Sequence, residues 1–265
     1  MDLTHILHSF QKYLRRSIRT INSNAETVKS YHCCLLPVAC CLLSPANFQL
    51  GARSQFNRYS YLLPAGKSAL QAWQTPWQQG YRTFKWKIGT ATVETELKLF
   101  NQLAQELPPS AQLRLDANGG LSESATHQWL KTADKVGIVE FVEQPLPPEQ
   151  FDSMLKMTYL YTTPIALDES VATLNQLETA YQRGWRGIFV IKAAIAGSPK
   201  RLRELCQAYH LDTVFSSALT TAIATQAALQ LAAELSNPQR TVGFGVNHWF
   251  TEDEETWLEQ LWNNH

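Results

Sequence analysis

Phe84-Lys85-Trp86-Lys87-Ile88-Gly89 decides how this chain of 265 residues is read. Apolar and cationic residues alternate along it, as on a β-strand, and that alternation puts Lys85 and Lys87 on one face. Two ammonium groups so placed repel one another. Such repulsion lowers a lysine pKa from about 10.4 toward neutrality and makes the group a possible base. In isolation the stretch is a strand with two solvated lysines. The residues that follow it decide otherwise.

Working outward, from about Tyr59 the chain alternates between short aliphatic or β-branched runs and longer stretches with helical spacing. The predicted strands are Tyr59–Leu63, Thr83–Ile88, Gln112–Leu115, Ile138–Val142, Pro164–Leu167, Gly187–Ile191, Thr213–Phe215 and Thr241–Val246. Between them the three- and four-residue spacing of apolar side chains predicts helices over Lys67–Gln78, Val93–Glu106, Ser122–Lys135, Gln150–Thr162, Thr173–Arg183, Ser198–Ala208 and Thr220–Ala233. Eight strands with seven intervening helices describe an α/β fold, a β/α barrel whose parallel strands are buried. An open doubly wound sheet would want a glycine-rich phosphate turn after an early strand, and the chain has none.

Three carboxylates then fall at the C-terminal ends of three consecutive strands. Asp116 follows Leu113-Arg114-Leu115, Glu143 ends Ile-Val-Glu-Phe-Val-Glu, and Asp168 follows Pro-Ile-Ala-Leu. That end of a parallel barrel is where active sites are built. Singly, each is an N-cap or turn carboxylate. Together in one small volume they need a counter-charge, which a hard divalent cation supplies: Mg2+, or alternatively Mn2+. Lys192 ends the next strand, so Lys87 and Lys192 flank the carboxylates from either side. This arrangement suits removal of a proton α to a carboxylate. Arg114 and Asn118 share the face of Asp116 and are candidates for orienting ligands or substrate. The Gly243-Phe244-Gly245 run lets a ligand approach the last strand's backbone, with Gly243 the candidate contact. Glu169 alternates away from Asp168 and reads as structural. None of the seven histidines stands where a strand-end base would.

Lys85-x-Lys87, Asp116 in Leu-Asp-Ala-Asn, Glu143 in Glu-Gln-Pro, Asp168 in Asp-Glu-Ser and Lys192 in Ile-Lys resemble the enolase superfamily, in its muconate-lactonizing-type subgroup. Within it the chain looks most like the o-succinylbenzoate synthase family of cyanobacterial and plant type, over roughly Ser54 to Phe250. The resemblance implies a (β/α)7β modified TIM barrel. It also implies Mg2+-dependent dehydration of 2-succinyl-6-hydroxy-2,4-cyclohexadiene-1-carboxylate to 2-succinylbenzoate, a step of phylloquinone and menaquinone biosynthesis. Lys87 would be the acid/base and Lys85 its electrostatic neighbour. Lys192 would stabilise the enediolate, and Asp116, Glu143 and Asp168 would hold the metal. Ser216 and Ser217 match positions where the family binds the substrate's carboxylate or succinyl group. Two alternatives carry the same motifs: an N-acylamino acid racemase or dipeptide epimerase, and a truncated, inactive relative. Family members begin with an antiparallel β-meander, and no run before Tyr59 has that character. The expectation is a partial, mainly helical capping region over residues 1–57, the barrel over 58–250, and a C-terminal helix or tail over 251–265 packing on the cap.

Composition narrows the partners. A formal net charge of +0 gives no support for nucleic-acid or membrane-surface binding, and no apolar run reaches the roughly 18 residues that span a bilayer. The expected partner is a small-molecule carboxylate, acting on a monomer or homo-oligomer. Cys33, Cys34, Cys40 and Cys41 lie among leucines and read as buried thiols rather than a zinc site; with Cys206 the count is odd. That pattern suggests a reducing, cytoplasmic compartment. Near the start, Leu3, Ile6, Leu7, Phe10 and Leu14 form a helical stripe, preferred over an organellar targeting signal.

Overall fold

The computed structural model describes residues 59–218 and 222–245. The expected cap (1–57), the tail (251–265) and the four clustered cysteines lie outside the described residues.

The strands are β1 (Tyr59–Leu62), β2 (Thr83–Lys87), β3 (Gln112–Asp116), β4 (Val139–Glu143), β5 (Ile165–Leu167), β6 (Ile188–Ile191), β7 (Thr213–Phe215) and β8 (Val242–Gly245). They form one eight-stranded sheet in the order β7-β6-β5-β4-β3-β2-β1-β8, and every named pairing is parallel. The ring closes between β7 and β8 through a bridge from Ser216 to Gly243. Ser217 N–H donates to the Gly243 carbonyl at 3.1 Å beside it. The barrel expected from the alternation is therefore the fold.

Helices on the outside are α1 (Ala69–Ala72), α2 (Gln74–Gln78), α3 (Val93–Glu106), α4 (Glu123–Val136), α5 (Phe151–Met157), α6 (Leu174–Gln182), α7 (Ala193–Ala196), α8 (Pro199–Tyr209) and α9 (Ala222–Leu235). Their starts are written locally: Ser122 caps α4 by accepting from Ala125 N–H, and Thr173 with Gln176 forms a capping box on α6. The helix predicted over Lys67–Gln78 is broken into α1 and α2 at Trp73. Pro76 lacks the N–H that would bond the Ala72 carbonyl. The helix predicted over Gln150–Thr162 ends at Met157. The short α7 directly after Lys192 was not expected.

Two apolar shells result. Between sheet and helices, Trp86 meets Trp129 edge-on at 6.2 Å, and Phe100 meets Trp129 at 5.5 Å. Inside the barrel lies a second cluster of Phe141, Ala166, Ile188, Val190 and Val214. Strand alternation carries the same inward face upward by two residues, from Phe141 to Glu143, Ala166 to Asp168 and Val190 to Lys192. The chemistry thus stands on an apolar floor. Below it, Arg114 is buried, donates to Glu140 at 2.7 Å and to the Thr241 carbonyl at 2.8 Å, and lies over the Phe141 ring. Arg240 joins Glu140 (3.0 Å) to Asp212 (2.6 Å).

Candidate active site

Register brings the charged residues together. Lys87, Asp116 and Glu143 are successive Cα partners across β2, β3 and β4. Asp168 and Lys192 come from the ends of β5 and β6. Lys85 Nζ lies 2.9 Å from Asp116 Oδ2 and 2.8 Å from Glu143 Oε1. Lys192 Nζ holds both oxygens of Asp168, with Oδ1 at 2.6 Å. Lys87, half-buried, makes no hydrogen bond or ion pair with the described residues. The three carboxylates are buried.

The electrostatics follow from that crowding. Burial pushes Glu143 up, Lys85 pulls it back, and Asp116 and Asp168 push it further, to about 8. Asp116 goes the other way: burial would raise it, but Lys85 and Lys87 together hold it below the usual carboxylate range. Burial disfavours the Lys85 ammonium, yet Asp116, Glu143 and Asp168 keep it above its ordinary value.

Around these groups the loops are tied down. Asn118, at φ 44, donates its backbone N–H to Asp116 Oδ1 (3.1 Å) and its side-chain amide to Glu169 Oε1 (3.1 Å). Glu169 therefore turns toward the site. Its Oε2 is buried with no hydrogen-bond partner, and burial with Asp168 nearby pushes the carboxyl up to about 7. Gln144 is fully buried at φ 39. Its Oε1 accepts from the N–H groups of Asp168 (2.9 Å) and Ser170 (3.1 Å), and its Nε2 donates to the Leu146 carbonyl (2.9 Å) and Ser170 Oγ (2.7 Å). Glu96, on α3, accepts from the N–H groups of Gly89, Thr90 and Ala91, the loop that follows Lys87.

Of the remaining sequence candidates, Arg114 is inward-facing on the strand of Asp116 but is taken up by Glu140 beneath the apolar floor. Ser216 and Gly243 form the closing bridge; Ser216 Oγ donates to the Gly243 carbonyl at 3.3 Å. A Cβ at 243 would stand 2.8 Å from Ser216 Oγ, so the glycine is needed for closure itself.

Three carboxylates from consecutive strand ends offer only hard oxygen donors, and burial, with Asp116 and Asp168 nearby, disfavours the ionised form of Glu143. A divalent cation would favour all three in that form. In this structure Lys85 and Lys192 draw the carboxylates onto themselves, and among the described residues no group of three or more His, Cys, Asp or Glu converges as a cage.

A β/α barrel with acids on three adjacent strand ends and lysines on both flanks defines an enolase-type barrel. The chain belongs to the enolase C-terminal domain-like family, which it matches over residues 68–260, in the branch that includes muconate-lactonizing enzymes. It is 42% identical over 208 residues to an o-succinylbenzoate synthase of Thermosynechococcus vestitus, covering 76% of this chain and 64% of that one. It is 27% identical over 167 residues to the L-Ala-D/L-Glu epimerase of Bacillus subtilis, covering 62% of this chain and 46% of that one. The chain thus spans less than two thirds of the length of these relatives. Among solved structures, the o-succinylbenzoate synthase of Thermosynechococcus elongatus, described with magnesium in its active site, superposes with a TM-score of 0.69 at 40% identity, covering 78% of this chain and 67% of that one. The muconate lactonizing enzyme of Pseudomonas putida shares the fold, with a TM-score of 0.66 at 23% identity over 74% of this chain and 56% of that one.

Proposed function

We propose that this chain is the catalytic barrel of an o-succinylbenzoate synthase, dehydrating 2-succinyl-6-hydroxy-2,4-cyclohexadiene-1-carboxylate to 2-succinylbenzoate. The observation that carries the reading is the row Lys87–Asp116–Glu143 in register, continued by Asp168 and closed by Lys192. Similarity to the synthases of Thermosynechococcus supports the substrate.

Asp116, Glu143 and Asp168 would hold Mg2+, with Mn2+ as a substitute. When bound, the ion would neutralise the charge a carboxylate gains on losing its α-proton. Lys87 is the acid/base: its amine takes the α-proton and returns it to the departing hydroxyl as water leaves. Lys85, held cationic between Asp116 and Glu143, sits beside it as the electrostatic neighbour. Lys192, from the far flank, donates to the charge that develops on the substrate. Ser216 and Ser217, at the end of β7, stand where the second carboxylate or the succinyl group would lie. Ring aromatisation drives the step, so positioning contributes more than force.

The purified chain with Mg2+ and the cyclohexadiene substrate is expected to show rising absorbance of the aromatic product. Lys87→Ala should lower the rate by roughly 10²–10⁴-fold, the usual contribution of a positioned general base. No rise above that variant overturns the proposal. The lysines on opposite flanks also suit two-base racemisation, and exchange of the α-hydrogen of N-succinylamino acids, with no dehydration, would favour that second reading.

A further inference from the structure

We infer that Gln144 is the positioning residue that sets Asp168 against Glu143, and so fixes the spacing of the three carboxylates. The inference rests on the metal reading given above. Glu143 and Asp168 belong to different strands whose named register ends at Glu143–Ala166, two residues short of Asp168. At Asp168 the backbone has already left the sheet, with φ −118 and ψ −75. Strand pairing therefore stops just short of Asp168, at Leu167 with Phe189 of β6, and other bonds take over from there.

Gln144 supplies them. Its side-chain oxygen takes the N–H of Asp168 and, two residues on, that of Ser170. Its amide nitrogen is anchored on the Leu146 carbonyl and Ser170 Oγ. Its own backbone joins a strand to a loop: its N–H donates to the Ala166 carbonyl of β5 at 2.8 Å, and its carbonyl accepts from Gly119 N–H at 2.7 Å. Gly119 lies three residues past Asp116. One residue thus bonds to the segments that carry Asp116 and Asp168 while adjoining Glu143 in the chain.

The chemistry demands a carboxamide. Both backbone N–H groups need an acceptor, and the Leu146 carbonyl needs a donor; among side chains of this length only Gln has both. A left-handed backbone is unfavourable for a non-glycine residue, and here it is held by bonds on every side.

The test is Mn2+ titration of the full chain, following free Mn2+ by electron paramagnetic resonance, alongside thermal unfolding. Gln144→Met keeps the volume but orphans both N–H groups, and is expected to weaken Mn2+ binding at least about tenfold. Gln144→Glu keeps the acceptor for both N–H groups but loses the donor to the Leu146 carbonyl, and should weaken Mn2+ binding less than Gln144→Met. Thr213→Val, on β7, which removes the bond to the Leu235 carbonyl at the end of α9, should lower the unfolding temperature and leave Mn2+ affinity unchanged. If Gln144→Met does not fold, Gln144→Asn, one methylene too short to reach Asp168, supplies the same comparison. Wild-type affinity in the folded Met or Asn variant overturns the inference alone. Equal loss of affinity in Thr213→Val shows a general stability effect and overturns it too. Absence of binding in the wild type overturns the metal reading and this inference with it.

Discussion

Glu143 carries a pH dependence that follows from its surroundings. Its folded value of about 8 lies above the roughly 4.3 of an exposed glutamate, so the folded chain keeps a proton that the unfolded chain releases. Stability from this site is therefore fully present below the unfolded value and lost as pH rises through the folded one. Glu169, at about 7, acts in the same direction. Asp116 acts oppositely, but only below the usual carboxylate range. Metal-free protein is expected to lose thermal stability between about pH 5 and pH 8, and Glu143→Gln to flatten that loss. An unchanged slope in the variant would count against the assignment. At this scale the charged residues were legible in the sequence, but their supports were not. Glu169 reads as turned away only if strand alternation continues past Asp168. The chain instead enters a 3-10 turn there, which swings the side chain back. Gln144 is hidden for another reason: nothing in a glutamine announces a positive φ.

The elements show what a local pattern can and cannot encode. Strands of this barrel are buried on both faces, so each is a short apolar run that stands out between turns, and all eight were legible. α7 was not, because four residues, Ala193-Ala194-Ile195-Ala196, are too short to show a helical period. The β2–α3 loop is held from within its own unit. Glu96 is buried on the first turn of α3, and its carboxylate gathers Gly89, Thr90 and Ala91, with Thr90 Oγ1 also donating at 2.9 Å. Glu96→Ala removes charge-assisted bonds and leaves those N–H groups to the interior or to water. It should cost about 2–3 kcal/mol by urea unfolding, as hydrogen bonds to charged groups do. A change below about 0.5 kcal/mol would mean that the loop keeps its shape without the carboxylate.

Across the whole molecule, the candidate site and a buried charge network occupy opposite ends of the barrel. Below the apolar floor, Glu140 is shared by Arg114 and Arg240, and Arg240 continues to Asp212. This network ties β3 and β4 to the segments before β7 and β8, across the barrel's width. Glu140→Ala leaves the buried Arg114 guanidinium without its carboxylate and should cost about 3–5 kcal/mol, the penalty for an uncompensated buried charge. Thermal unfolding with and without Mg2+ would show it as a loss of stability that metal does not repair. The sequence marked Arg114 only as sharing a face with Asp116. Height along the barrel, which separates a plug from a site, depends on strand stagger and is not a property of one strand.

The contact between Ser216 and Gly243 limits how the ring can drift. At this seam a hydroxymethyl group lies against a bare Cα, and the hoop has no spare width. A side chain gained at 243 would press first on the Ser216 hydroxyl and then on its Cβ at 3.1 Å, on the residue that closes the ring. Freedom to vary β8 is thus tied to how the ring is fastened.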